Sequence, residues 1–147
     1  MTATPDGLPS SVVVGGADPD LDARLSSELD AYNVAASGID DQRELTVRVQ
    51  DDQGVLLAGL SGWTWGTCAG IAMVWVHEDH RRSGLGAQLL GAAEQVARDR
   101  GCRRLTVSSF TFQAPAFYER HGFVETGRIE GLPVEGHADV QLVKLLD

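Results

Sequence analysis

The sequence has only two cysteines, Cys68 and Cys102, 34 positions apart, which excludes a disulfide framework, a CxxC redox pair and a cysteine-rich zinc site. Both read as small core residues. Histidine is also sparse: His77 and His80 lie three apart, while His121 and His137 stand alone. No metal-ligand constellation emerges, and no metal is expected. Basic charge is in deficit. Twelve Lys plus Arg against 21 Asp plus Glu give a net charge of −9, a field that opposes nucleic acid and steers a protonated amine inward. No segment approaches the ~20 apolar residues that span a bilayer. The opening run, MTATPDGLPSS, carries neither a basic leader nor an apolar stretch of signal-peptide length. A cytoplasmic protein with no nucleic-acid or membrane partner is expected. Familiar enzyme motifs are missing too. GxxxxGK[ST] does not occur, a dinucleotide fingerprint would need a small residue where Leu89 stands, and Gly59-Leu60-Ser61-Gly62-Trp63 misses the GxSxG elbow of serine hydrolases.

What is present suits one domain covering residues 1–147. At 43% hydrophobic, a chain of this length buries roughly two-thirds of its unfolded surface. Val12 to Val14 could form a short strand. Asp18-Pro19-Asp20 then reads as a helix opening, with an oxygen-bearing cap, a proline at the first helical position and acid at the positive end. Leu21, Leu25, Leu29, Tyr32 and Ala36 follow at helical spacing, a stripe that predicts burial against a sheet, and Gly38 supplies the stop. Alternation at Leu45, Val47 and Val49, a turn at Asp51 to Gly54 and an extended run from Val55 to Leu60 predict a hairpin. Glycines 59, 62 and 66 punctuate a tryptophan-bearing stretch, and Cys68 to Val76 reads as a central strand. The face traced by Leu85, Leu89, Ala92, Ala93, Val96 and Ala97 predicts a helix closed by Gly101. Strands at Leu105 to Val107, Phe123 to Ile129 and Val140 to Leu145 and a short helix at Ala114 to Arg120 complete an α/β element order.

The segment richest in chemistry runs Val74-Trp75-Val76-His77-Glu78-Asp79-His80-Arg81-Arg82-Ser83-Gly84-Leu85-Gly86-Ala87. A buried strand passes through a polar turn into an amphipathic helix. The first amides of a helix lack intrahelical acceptors and sit at the positive end of its dipole, so together they bind phosphate. Glycine at 84 and 86 would let a diphosphate lie against the backbone, with Arg81 and Arg82 adding charge. An isolated GxG is more often a plain tight turn.

Arg81-x-x-Gly84-x-Gly86 after a strand resembles the [QR]-x-x-G-x-[GA] coenzyme A signature of the GNAT acetyltransferase superfamily. Val76 preceding Arg81 by five positions is similar to its V-x-P-x-x-R-G-x-G-x-G run, although Glu78 and Arg82 replace the usual proline and glycine. Downstream, Ala114-Pro115-Ala116-Phe117-Tyr118-Glu119-Arg120-His121-Gly122-Phe123 resembles the family's A-x-x-[FL]-Y-x-x-x-G-F segment. Many relatives carry Asn seven residues before that tyrosine, where this chain has Thr111.

The resemblance implies an α+β fold: a mixed, mostly antiparallel central sheet flanked by helices. It implies N-acetyltransferase activity with acetyl-CoA as donor, a small-molecule or peptide amine as acceptor, and a homodimer. Cofactor contacts would come from Val74, Trp75 and Val76 in the strand, from Arg81, Arg82, Ser83, Gly84, Leu85, Gly86 and Ala87 in the turn, and from Thr111. Tyr118 would be the acid that protonates the leaving sulfur, since a phenol with a pKa near ~10 keeps its proton at neutral pH. Tyr32, Asn33, Trp63 and Trp65, with Asp40 and Asp41, are candidates for the amine pocket. His77, Glu78 and Asp79 follow the strand without any one of them standing out as a base. A non-catalytic acyl-CoA-binding sensor is the alternative that keeps the cleft without turnover.

Overall fold

Hydrophobic alternation along the chain is resolved into strands that share one face. A computed structural model describes residues 11–147, together with the backbone of residues 2–3 and 9–10. Two units are distinguished, Met1–Gly38 and Ile39–Asp147.

In the first, β1 (Thr2–Ala3) pairs antiparallel with β2 (Pro9–Ser10). Val12 to Val14 form no strand, contrary to expectation. Among the described residues no strand lies alongside them, and an extended run without a neighbouring backbone makes no ladder. The helix opening reads correctly: α1 (Pro19–Ser37) is capped by Asp18, whose carboxylate accepts from the Leu21 amide at 3.0 Å. Gly38, at φ 75, closes it by donating to the Val34 carbonyl.

The second unit is a six-stranded sheet. It comprises β3 (Arg43–Gln50), β4 (Leu56–Trp65), β5 (Cys68–Val76), β6 (Arg104–Phe110), β7 (Val124–Glu130) and β8 (Ala138–Leu145), in the order β3-β4-β5-β6-β8-β7. Every pair is antiparallel except β5 with β6. Parallel neighbours need a crossover, and α2 (Leu85–Asp99) supplies it; α3 (Pro115–Arg120) follows β6. The β3–β4 turn is held by Asp51, whose Oδ1 accepts from the amides of Gln53 and Val55. Glycines 59 and 62 do not interrupt the tryptophan-bearing stretch but lie within β4.

Leu89, Leu90, Ala93 and Ala97 of α2 are buried with Leu45, Ala58, Leu60, Ala69, Ile71 and Leu105 of the sheet. Burying one such leucine stabilises by ~1.5–3 kcal/mol. Glu94 lies on this same buried face, its carboxylate bound to Lys144 Nζ at 2.9 Å and flanked by Arg98 at 3.7 Å. A carboxylate so enclosed persists only when paired.

The site is positioned by the way β5 parts from β6. Only three residue pairs join them, Cys68 with Arg104, Ala69 with Leu105 and Gly70 with Thr106. Beyond Gly70, both strands continue without pairing to each other. At that point β5 is also bulged: Ser61 of β4 faces Met73 and Gly62 faces Ile71, which leaves Ala72 as an extra residue. A bulge bends its strand and sharpens its twist. Two glycines permit the close approach, since a β-carbon on Gly62 would overlap the Gly70 carbonyl oxygen and one on Gly70 would overlap the Trp63 indole.

Candidate active site

Where the two strands diverge they leave a cleft of about 980 Å³, at the upper end of the range for ligand sites. One wall is the released part of β5, from Ile71 to Val76. The other is Val107, Ser108, Ser109 and Phe110 of β6, with Tyr118 of α3, and the turn into α2 closes one end. Main-chain groups of β5 that face away from β4 have no strand partner beyond Gly70, so a ligand can take the place of the missing strand.

The α2 turn leaves the first helical amides open to an anion. Gly84, the N-cap, adopts φ 87, and no side chain caps the helix. The first helical bond runs from Gln88 N to Gly84 O, at 3.0 Å. The amides of Leu85, Gly86 and Ala87 therefore have no acceptor among the described residues. Arg81 Nε donates to the Val76 carbonyl at 3.1 Å, tying the turn to the end of β5. Arg82, where the family pattern has glycine, adopts φ 63, the left-handed region a non-glycine residue enters at a cost of ~1–2 kcal/mol.

Both expected glycines also have structural reasons, independent of any ligand. A β-carbon on Gly84 would meet nothing within 4 Å, so its requirement is conformational. One on Gly86 would come within 3.3 Å of the Phe117 ring, so its bareness lets α3 pack against α2.

Tyr118 stands on the α3 wall, 6% exposed. Its ring meets Phe117 and Phe123 edge-on at centroid distances of 5.2 and 5.4 Å, and its carbonyl accepts from the amides of His121 and Phe123. The hydroxyl has no hydrogen-bond partner among the described residues, yet it is not sealed in. Burial pushes the phenol above its ordinary value of 10, so it holds its proton at neutral pH. Ser109, itself buried on β6, accepts from the Ala114 amide at 3.1 Å and fixes the start of α3.

Of the residues expected at the cofactor, Val74, Trp75, Val76, Arg81, Arg82, Gly84, Gly86 and Ala87 line this cleft together with Tyr118. Three do not. The Ser83 hydroxyl bonds to the His80 carbonyl, and Leu85 packs against the core. Thr111 Oγ1 meets His137 Nδ1 and accepts from the Ala138 amide, both at 3.2 Å, which fastens the end of β6 to β8. Candidates for the amine pocket also have structural work. Trp63 lies over Gly70, Trp65 Nε1 donates to the Ile39 carbonyl, and Asp41 accepts from the Gly66 amide. His77 Nδ1 accepts from the Asp79 amide and caps the short 3-10 helix Glu78–His80. Ser108, Phe112, Arg120 and His121 line the cleft without having been singled out in the sequence. The alternation of β6 could have pointed to Ser108 alone.

The sequence profile of the acetyltransferase (GNAT) family matches residues 17–123. The chain belongs to that family. It is thus an acyltransferase, and the six-stranded, mostly antiparallel sheet agrees with solved relatives. An acetyltransferase of Agrobacterium fabrum is 32% identical over 113 residues, 77% of this chain and 82% of that protein. A blasticidin-S acetyltransferase of Streptomyces morookaense is 36% identical over 86 residues, 56% of this chain and 61% of the relative. The crystal structure of an acetyltransferase from Agrobacterium tumefaciens superposes with a TM-score of 0.84 at 30% identity, covering 93% of this chain and 99% of that one. Among the described residues no group of three His, Cys, Asp or Glu could hold a metal ion, and no helix is long and apolar enough to cross a membrane.

Proposed function

We propose that residues 1–147 act as one N-acetyltransferase domain in which a primary amine attacks the acetyl group of acetyl-CoA directly, with Tyr118 as the acid. One observation carries this reading: the unpartnered amides of Gly86 and Ala87 at the start of α2 and an unpartnered, proton-holding phenol on α3 line the same cleft, beside a strand edge left open by the split. Bound acetyl-CoA supplies the acyl thioester. The amides of Gly86 and Ala87, with Arg82, hold its diphosphate. The open edge of β5 from Val74 to Val76 takes the pantetheine amides as a neighbouring strand would. Donors fixed in the sheet need no reorganisation as charge develops on the carbonyl oxygen. The phenol of Tyr118 delivers its proton to the departing sulfur.

Neither cysteine lines the cleft, and burial raises both thiols, so a cysteinyl acyl intermediate has no support and direct attack is favoured. The acceptor is a small amine, which sheds its ammonium proton to solvent and attacks as the free base. The name of the Streptomyces relative, a blasticidin-S acetyltransferase, points toward antibiotic bases.

A thiol-release assay with acetyl-CoA across polyamines, amino acids, antibiotics and peptide N-termini tests the reading. At least one amine should drive release, and Tyr118→Phe should lower kcat about a hundredfold or more while its melting temperature stays near wild type. Coenzyme A binding without release by any acceptor would favour a sensor, and a fully active phenylalanine variant would remove the acid.

A further inference from the structure

The charged groups around the cleft are all of one sign. In a chain with 21 acidic and 12 basic side chains, the described lining includes Arg81, Arg82 and Arg120 with His80 and His121, and no Asp or Glu. Two of these arginines belong to the α2 turn, where the diphosphate is placed. Arg120 does not. It is the last residue of α3, and its guanidinium makes no hydrogen bond or ion pair with any described residue.

Packing fixes which end of the cleft Arg120 serves. The His121 ring lies against Phe117 at a centroid distance of 4.7 Å, and Phe117 sits over Gly86 at the start of α2. The Arg120–His121 corner is thereby held beside the cradle rather than at the split between β5 and β6. The pantetheine arm is uncharged and has no use for a guanidinium there. Coenzyme A differs from a simple diphosphate ester by one further anion, the phosphate monoester on the ribose. A guanidinium without a protein partner suits that group, because its planar fork matches phosphate oxygens and stays charged at any working pH.

We infer that Arg120 binds the ribose 3′-phosphate of coenzyme A, so that this protein distinguishes coenzyme A from its 3′-dephospho form. The inference rests on the proposed use of the cleft for acetyl-CoA. Isothermal titration with coenzyme A and with dephospho-coenzyme A, on wild type, Arg120→Ala and Arg120→Lys at fixed ionic strength, tests it. Wild type should bind coenzyme A at least about tenfold more tightly than the dephospho form, the worth of one charge-assisted phosphate contact. Arg120→Ala should bring coenzyme A down to the dephospho level without weakening dephospho-coenzyme A, whose unchanged binding shows that the fold is intact. Arg120→Lys should restore part of the preference. Equal wild-type affinity for the two ligands would overturn the inference. So would an alanine variant that weakens both by the same factor, or neither. If wild type binds neither ligand, the cofactor reading of the cleft itself falls.

Discussion

Gly84→Ala should separate a conformational requirement from a steric one. Gly84 holds φ 87 at the head of α2, and a β-carbon there would meet nothing within 4 Å. The substitution therefore introduces no clash. It adds the left-handed penalty of ~1–2 kcal/mol, of which the stiffer unfolded chain offsets ~0.4–1 kcal/mol. The net loss is about 1 kcal/mol, a fall in Tm of roughly 2–4 °C for a chain of this length. Coenzyme A binding should suffer more. If the residue relaxes toward negative φ, the amides of Leu85, Gly86 and Ala87 turn with it, and each charge-assisted bond lost costs roughly tenfold or more. Gly84→Asn is the internal control, because asparagine tolerates this region and has just as much free space. Differential scanning calorimetry and titration with coenzyme A on both variants read the two effects. Alanine that leaves Tm and affinity unchanged, or asparagine that damages both as much as alanine, would refute the conformational account.

Lys144→Met leaves the buried Glu94 carboxylate with only the looser Arg98 contact at 3.7 Å. It should cost about 2–3 kcal/mol in urea unfolding, less than full loss of a buried pair because Arg98 remains. Arg82→Gly removes a left-handed penalty of ~1–2 kcal/mol but adds ~0.5–1 kcal/mol of chain entropy, a net gain of roughly 0.5–1 kcal/mol, so Tm should rise by about 1–4 °C while titration shows coenzyme A affinity falling about tenfold with the lost guanidinium. Burial raises the Tyr118 phenol above 10. The folded protein thus holds this proton more tightly than the unfolded chain, and the stability it confers is full below pH 10 and is lost as pH rises through the folded value. The rate with acetyl-CoA should likewise lose no activity to Tyr118 ionisation below about pH 10. An alkaline limb centred below pH 9 that vanishes in Tyr118→Phe would contradict this.

Where a local rule suffices, the sequence speaks clearly. Cys68 to Val76 has the composition of an inner strand and is one; Asp18-Pro19 opens a helix and Gly38 ends it. Val12 to Val14 shows the opposite case, because a strand exists only if another backbone lies alongside it, and that is a property of the whole sheet. Thr111 is a similar case of partners that a local reading misses. Its place before the tyrosine suggests a ligand contact, but nothing within ten residues hints that the chain would return at His137 and Ala138 to engage the hydroxyl.

The glycine-rich turn marks the boundary between the two kinds of information. Its spacing points to open helix N-terminal amides because the geometry of a helix N-terminus is local. Spacing alone does not say why each glycine is there. The positive φ of Gly84 depends on the path from β5 into α2, and the bareness of Gly86 depends on Phe117, 31 positions later. The same Phe117 contact holds α3, and with it Tyr118, beside the turn, so the residue proposed to receive the cofactor's charge and the residue proposed to hand over the proton are tied by one ring packed over one glycine. Gly86→Ala tests that coupling. Overpacking at this contact should cost ~1–3 kcal/mol in stability. It should also lower kcat with acetyl-CoA beyond any loss of coenzyme A affinity, because a displaced Phe117 moves Tyr118. Loss of affinity alone, with kcat preserved, would show that cradle and acid are positioned independently.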